Sequence, residues 1–144
     1  SPTPAHKKIS EGITCCDPYS EEGKYCYRSH CFETTRLLAE KLELKENTYS
    51  QSFQSRLGND KWITPFTADK IAQLAQQGVK KLAVITPAFV TDCVETLEEI
   101  EMAGGKTFRE NGGQEFKMVP CLNDSNLWVH ALSKWINEYL TPNI

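Results

Sequence analysis

Apolar residues along the chain fall into two patterns, short extended segments and stripes recurring every three or four positions. The segments are 48–53, short, aromatic and β-branched; 81–85, which holds a continuous apolar run from Leu82; and 115–119; they predict three strands. The stripes predict four helices. Phe32, Thr35, Leu38, Ala39 and Leu42 mark one from Ser29 onward, with Glu33 and Glu40 outward. Ile71, Leu74 and Ala75 mark a second that Thr67 can cap and Gly78 can end. Leu127, Val129, Leu132, Trp135, Ile136 and Tyr139 supply the apolar side of a last helix starting at Asp124 or Ser125. Helix and strand alternate, which predicts an α/β fold with a doubly wound, mainly parallel sheet.

The third helix in chain order is the one around which the others are organised. Leu82-Ala83-Val84-Ile85 reads as a buried strand halted at Pro87. Beyond it Val90, Val94 and Leu97 fall on one helical stripe, and Asp92, Glu95 and Glu99 on another at i, i+3 and i+7. The helix either continues past Gly104-Gly105 or breaks there. In open α/β sheets ligands bind outside the carboxyl ends of strands, so carboxylates at that place can bind a cation or exchange protons. Carboxylates so close should also raise one another's pKa toward neutrality. The plainer reading is a solvated face, because acidic residues offset the dipole at any helix start. Asp92 in particular suits an N-cap as well as a functional role.

Composition narrows the classes. A 144-residue chain with 40% hydrophobic and 24% charged residues can bury a core as one ordinary globular domain. A net charge of -3 and a pI near 5.6, with no basic stripe, argue against nucleic-acid binding. No apolar run reaches membrane-spanning length. Residues 1 to 24 are polar and broken by Pro2, Pro4, Gly12, Pro18 and Gly23, and read as loop or linker.

Four of the six cysteines, Cys15, Cys16, Cys26 and Cys31, crowd into seventeen residues, while Cys93 and Cys121 stand alone in apolar segments. The regular α/β pattern is unlike a disulfide scaffold, so we read a reducing compartment, with the two lone thiols as buried small hydrophobes. Four clustered thiolates suit a 2Fe–2S cluster or a structural zinc, and spacing alone does not separate them. This divides the chain into a cysteine-rich metal-cluster segment, 1–31, and a doubly wound α/β domain, 29–144.

Three blocks resemble the ferrochelatases, which insert ferrous iron into protoporphyrin. They are the acidic run from Pro87 to Ile100; the run from Ser52 to Gly58 followed by Trp62, Pro65 and Thr67; and Pro120-Cys121-Leu122-Asn123 before a terminal helix with Trp128. Together they cover about residues 24 to 140. The resemblance implies the second half of a two-lobed, chelatase-type Rossmann-like enzyme that needs its upstream half for activity. It places Glu95 at the active-site glutamate beside the macrocycle and the substrate iron, and Glu99 on a ridge along which iron or protons pass. It makes Trp62 a porphyrin-pocket aromatic and Gln54, Ser55 and Arg56 a polar strip of the same cleft, with Arg56 suited to a propionate. Cys93 departs from members with histidine there.

The family's catalytic histidine precedes an Asp-Pro-Tyr segment, present here as Asp17-Pro18-Tyr19. The histidine lies in a Ser-x-His-Ser/Gly-x-Pro motif whose proline Pro4 can match; in that register Ser1 falls where the histidine belongs, so the histidine is lost or just upstream, and neither His6 nor His30 fits the motif. The cysteine spacing is similar to that of bacterial members with a 2Fe–2S cluster, which favours a cluster over zinc and would order residues 1 to 31. The implied substrates are protoporphyrin IX and ferrous iron, and the implied location is the cytoplasm, with peripheral contact at the inner membrane. The rivals are a cobalt or sirohydrochlorin chelatase, which relies on paired histidines, and a non-enzymatic iron–sulfur or zinc interaction domain.

Overall fold

The computed structural model describes residues 23–54 and 62–141. Cys15, Cys16, Ser55, Arg56, His6 and the Asp17-Pro18-Tyr19 run lie outside the described residues. The chain divides into two compact units, the second beginning at Ile71.

In the first unit, α1 (Tyr27–Lys41) starts two residues before the expected point and buries Ser29 and Ala39. Phe32 meets Phe53 edge-on, ring centroids 6.4 Å apart, and carries the Arg28 guanidinium over its ring at 4.6 Å. Arg36 bridges Glu33 and Glu40 along the solvent side. The helix ends in a tight reversal: Leu44 N–H donates to Ala39 O and Glu43 N–H to Glu40 O, with Glu43 left-handed at φ 53°. The strand expected over 48–53 does not form. A 3₁₀ turn, Glu46–Thr48, takes its start, because Thr48 turns both its N–H and its hydroxyl onto Lys45 O. Only Phe53 pairs, in a parallel bridge with Phe66.

α2 (Thr67–Gln76) follows. Thr67 is its first residue instead of its cap, and its hydroxyl lies 3.2 Å from that of Ser52. At the other end Gly78, φ 93°, supplies the reversal the sequence predicted: Val79 N–H reaches Leu74 O and Gly78 N–H reaches Ala75 O.

The second unit is built on β1 (Lys81–Val84) and β2 (Glu115–Met118), paired in parallel from Lys81↔Glu115 to Val84↔Met118. Between them run a π-helix, π1 (Glu95–Gly104), and its direct continuation α3 (Gly105–Glu110). Ile71, Ala75 and Phe108 form the core, with Val79, Leu82 and Phe116 packed on it. The backbone continues through Gly104-Gly105, where a Cβ would lie 3.0 Å from Ile71 and 3.2 Å from Phe116 respectively. These glycines let the helix lie close to α2 and β2. β1 alternates between exposed and half-buried residues instead of being buried throughout, with Leu82 turned to the core.

α4 (Asn126–Leu140) is capped by Ser125, whose hydroxyl accepts from Trp128 N–H. Its expected buried side is not buried: Leu127 is 87% exposed, Trp135 52% and Tyr139 94%. Amphipathic spacing specifies that a face suits burial, but not what covers it. No helix among the described residues is long and apolar enough to cross a membrane.

Candidate functional site

Parallel pairing puts the carboxyl ends of β1 and β2 side by side, so the loops leaving them start as neighbours. The first contact between the loops is Val119 N–H to Val84 O at 2.8 Å. Next, Thr86 Oγ1 lies 3.3 Å from Cys121 Sγ. Furthest out, Asn123 N–H donates to Val90 O at 2.9 Å, and the Asn123 carboxamide meets Asp92 twice. Asp92 N–H donates to Asn123 Oδ1 at 2.9 Å, and Asn123 Nδ2 donates to Asp92 Oδ2 at 2.7 Å. Cys121 N–H also donates to Asp92 Oδ1 at 3.3 Å, and the Thr96 hydroxyl approaches the same oxygen at 3.2 Å.

Asp92 therefore precedes the helix and does not cap it. The backbone N–H of Cys93 is satisfied by Thr96 Oγ1 at 2.9 Å, and the carboxylate of Asp92 serves the neighbouring loop instead. The row of three carboxylates reduces to Glu95 and Glu99 on π1, a turn apart. The buried positions are Thr96, Ile100 and Gly104, while Val90, Val94 and Leu97 of the expected apolar stripe are exposed. Val90 and Val94 precede π1, and within it burial recurs every four residues from Thr96, so the buried face is set at a different phase from the expected stripe.

Electrostatics also differ from the expectation. The Asp92 carboxyl is held below the ordinary aspartate range, first by Asn123 and then by Cys121. Glu95 is likewise lowered, first by a hydrogen bond from the Cys93 thiol and then by its own backbone N–H. Donors surround these two carboxylates, so neither is raised toward neutrality, and both are ionised at pH 7. Cys121 moves the other way, its thiol raised by burial. Cys93 and Cys121 are half-buried with polar partners, not sealed in the core as simple hydrophobes.

The first unit holds the aromatic candidate. Trp62, 38% exposed, donates its indole N–H to Gln54 O at 3.3 Å. Cys26 immediately precedes α1 and Cys31 lies in its second turn, both half-buried free thiols. Tyr27 is raised by burial and by a hydrogen bond to Cys31. Two thiols at the positive end of a 15-residue helix have the right chemistry for an anionic metal–thiolate centre. Among the described residues no three His, Cys, Asp or Glu side chains converge to hold a metal. A depression of about 670 Å³ runs along α4, lined by His130, Ser133, Lys134, Asn137, Glu138 and Thr141. All six belong to one helix and its end, so it is a helix flank and not a cleft.

Sequence reasoning gave no role to Asn123 or Thr96. The available signal was Asn-Asp just before a Ser-capped helix, a turn combination; Asn123 does sit left-handed at φ 47°.

An α/β unit with an acidic helix at the carboxyl end of a parallel strand defines the general class, and comparison with known proteins specifies it. A model of the ferrochelatase family matches residues 13–140. A ferrochelatase of Pseudomonas fluorescens (strain SBW25) is 54% identical over 131 residues, covering 90% of this chain and 38% of that protein. One from Pseudomonas aeruginosa (strain LESB58) is 45% identical over 139 residues, covering 96% of this chain and 40% of that protein. The chain belongs to the ferrochelatase family and has its chelatase-type α/β fold. It spans about two fifths of the length of the curated relatives it matches.

Proposed function

We propose that the protein containing this chain inserts ferrous iron into protoporphyrin IX to form protohaem, and that this chain contributes the carboxylates on the metal side. The observation that carries the reading is the family match over 13–140 together with Glu95 and Glu99 on π1 at the end of β1. Insertion requires a hydrated cation to be attracted and stripped of water while two pyrrole protons leave. Glu95, half-exposed and ionised, suits electrostatic capture of ferrous iron and transient acceptance of a proton from the macrocycle. Glu99, exposed one turn away, extends the negative path. Trp62 offers an aromatic face to a planar ligand, and Gln54, Ser55 and Arg56 the polar strip beside it. The upstream half, with the histidine, completes the site.

Cys26 and Cys31, with Cys15 and Cys16, hold a 2Fe–2S cluster in this reading, with structural zinc as the alternative. A bound cluster would cross-link the chain through iron–thiolate bonds to these four cysteines. The reading places the protein in the cytoplasm with peripheral contact at the inner membrane.

The test is iron insertion by the full-length protein, followed by porphyrin fluorescence loss and haem absorbance, with and without Glu95→Gln. Insertion lost in Glu95→Gln supports the reading; no insertion by the unaltered full-length protein overturns it in favour of a metal–thiolate interaction domain. Acid-labile sulfide and visible absorbance, both lost in Cys26→Ser, identify the cluster, whereas a colourless protein with stoichiometric zinc identifies zinc.

A further inference from the structure

The Asp92–Asn123 pair is reciprocal and part-buried. Both groups of the Asn123 carboxamide are used on one residue, Oδ1 accepting from Asp92 N–H and Nδ2 donating to Asp92 Oδ2. The Asn123 backbone N–H adds a bond to Val90 O two residues earlier. Asn123 adopts left-handed backbone, φ 47°, a conformation that asparagine tolerates better than most residues. The other carboxylate oxygen of Asp92 faces Cys121 N–H and the hydroxyl of Thr96, which is fully buried. Thr96 in turn receives Cys93 N–H, and its own N–H reaches Cys93 O. A continuous polar chain therefore runs from the loop after β2, through Asn123, Asp92 and Thr96, into the first turn of π1, where Glu95 sits.

We infer that Asn123 and Asp92 are positioning residues: their reciprocal clasp fixes the entry of π1 and thereby the placement of the Glu95 carboxylate. This rests on the function proposed above. Asn123 Nδ2 and Cys121 N–H each occupy one oxygen of the Asp92 carboxylate, and the single Thr96 hydroxyl hydrogen is shared between it and Cys93 O, so its task is to accept those hydrogen bonds and not to take iron or protons.

The clasp is polar in a fixed sense, which makes exchange of the two side chains informative. In Asp92→Asn, one amide cannot accept from Cys121 and Thr96 on one side and also from Asn123 Nδ2 on the other without setting two donors face to face. In Asn123→Asp, two carboxylates face each other. In the double exchange Asp92→Asn/Asn123→Asp, donor and acceptor are complementary again, and aspartate is also tolerated in left-handed backbone.

The experiment is steady-state iron insertion by the four full-length proteins, with amide hydrogen exchange at Thr96 and Leu97 measured on the same samples. Both N–H groups bond to Cys93 O in the first turn. We expect each single variant to lose kcat by about 10²-fold with KM little changed, as for a misplaced group. Protection of both amides should fall, and the double exchange should recover most of both. Single variants that lose activity, with a double exchange that recovers amide protection but not kcat, would overturn the assignment, because the carboxylate at 92 would then act directly. Unchanged amide protection in the single variants would overturn it as well. If the unaltered protein inserts no iron, the functional reading fails, while the exchange data still decide whether the clasp holds the first turn.

Discussion

Gly113 lies in the reversal between α3 and β2, where its N–H bonds to Phe108 O at 2.9 Å. A Cβ added there would sit 2.3, 2.3 and 2.6 Å from three carbons of the Phe108 ring, against ordinary contacts of 3.4 Å or more. The ring has nowhere to retreat. It is 0% exposed, belongs to the core with Ile71 and Ala75, and has the Phe116 ring 5.9 Å away, centroid to centroid. Relief therefore needs a shift of about 1 Å in a close-packed region. Overpacking of this kind costs about 1–3 kcal/mol. Alanine's smaller unfolded-state entropy returns roughly 0.4–1 kcal/mol of that. Phe108→Ala alone should cost about 3–5 kcal/mol through the cavity it leaves. In that background the clash is gone, so adding Gly113→Ala should cost nothing or stabilise slightly. Urea unfolding followed by far-UV circular dichroism on the four proteins gives the coupling, expected at about 1–3 kcal/mol and sub-additive. Equal cost of Gly113→Ala with and without the ring would refute the reasoning, since the strain would then be in the backbone and not against Phe108.

The remaining predictions concern charge, backbone and a buried hydroxyl. Asp92 is depressed in the folded state, so its contribution is complete above the ordinary aspartate range, about 3.9, and is lost as pH falls through its lower folded value. Asn123→Ala removes the leading cause, so acid unfolding curves should show a shallower pH dependence below about pH 4 than the parent; an unchanged slope contradicts the assignment. Gly78→Ala meets nothing within 4 Å, so its cost is purely conformational, from φ 93°. It should be about 1 kcal/mol in chemical denaturation, with Gly78→Asn milder. Ser29 is fully buried and its hydroxyl has no hydrogen-bond partner among the described residues. Ser29→Ala should therefore leave the melting temperature unchanged or raise it, and a fall of several degrees would mean that the hydroxyl is bonded.

Local signals were legible where the physics is local. Gly78 ends α2 and Ser125 caps α4 because a left-handed turn and an orphan N–H have few chemical solutions. The 81–84 and 115–118 runs formed strands, and the intervening helix made their pairing parallel. The acidic run was legible as residues, with Glu95 and Glu99 on a helix at the end of β1. Its geometry was not. The predicted stripe assigns Val94 and Leu97 to the core, whereas the helix begins later, buries Thr96 and Ile100 and leaves Asp92 outside it. Which face is buried is a matter of tertiary contacts, with Gly104 and Gly105 seated against Ile71 and Phe116 at the helix end. The tie between Asp92 and Asn123 joins residues 31 apart, brought together only because β1 and β2 lie in parallel register. Sequence alone thus determined which residues are available and where helices stop. Tertiary structure decided that the Asp92 carboxylate holds the neighbouring loop, because that depends on donors delivered from the segment after β2.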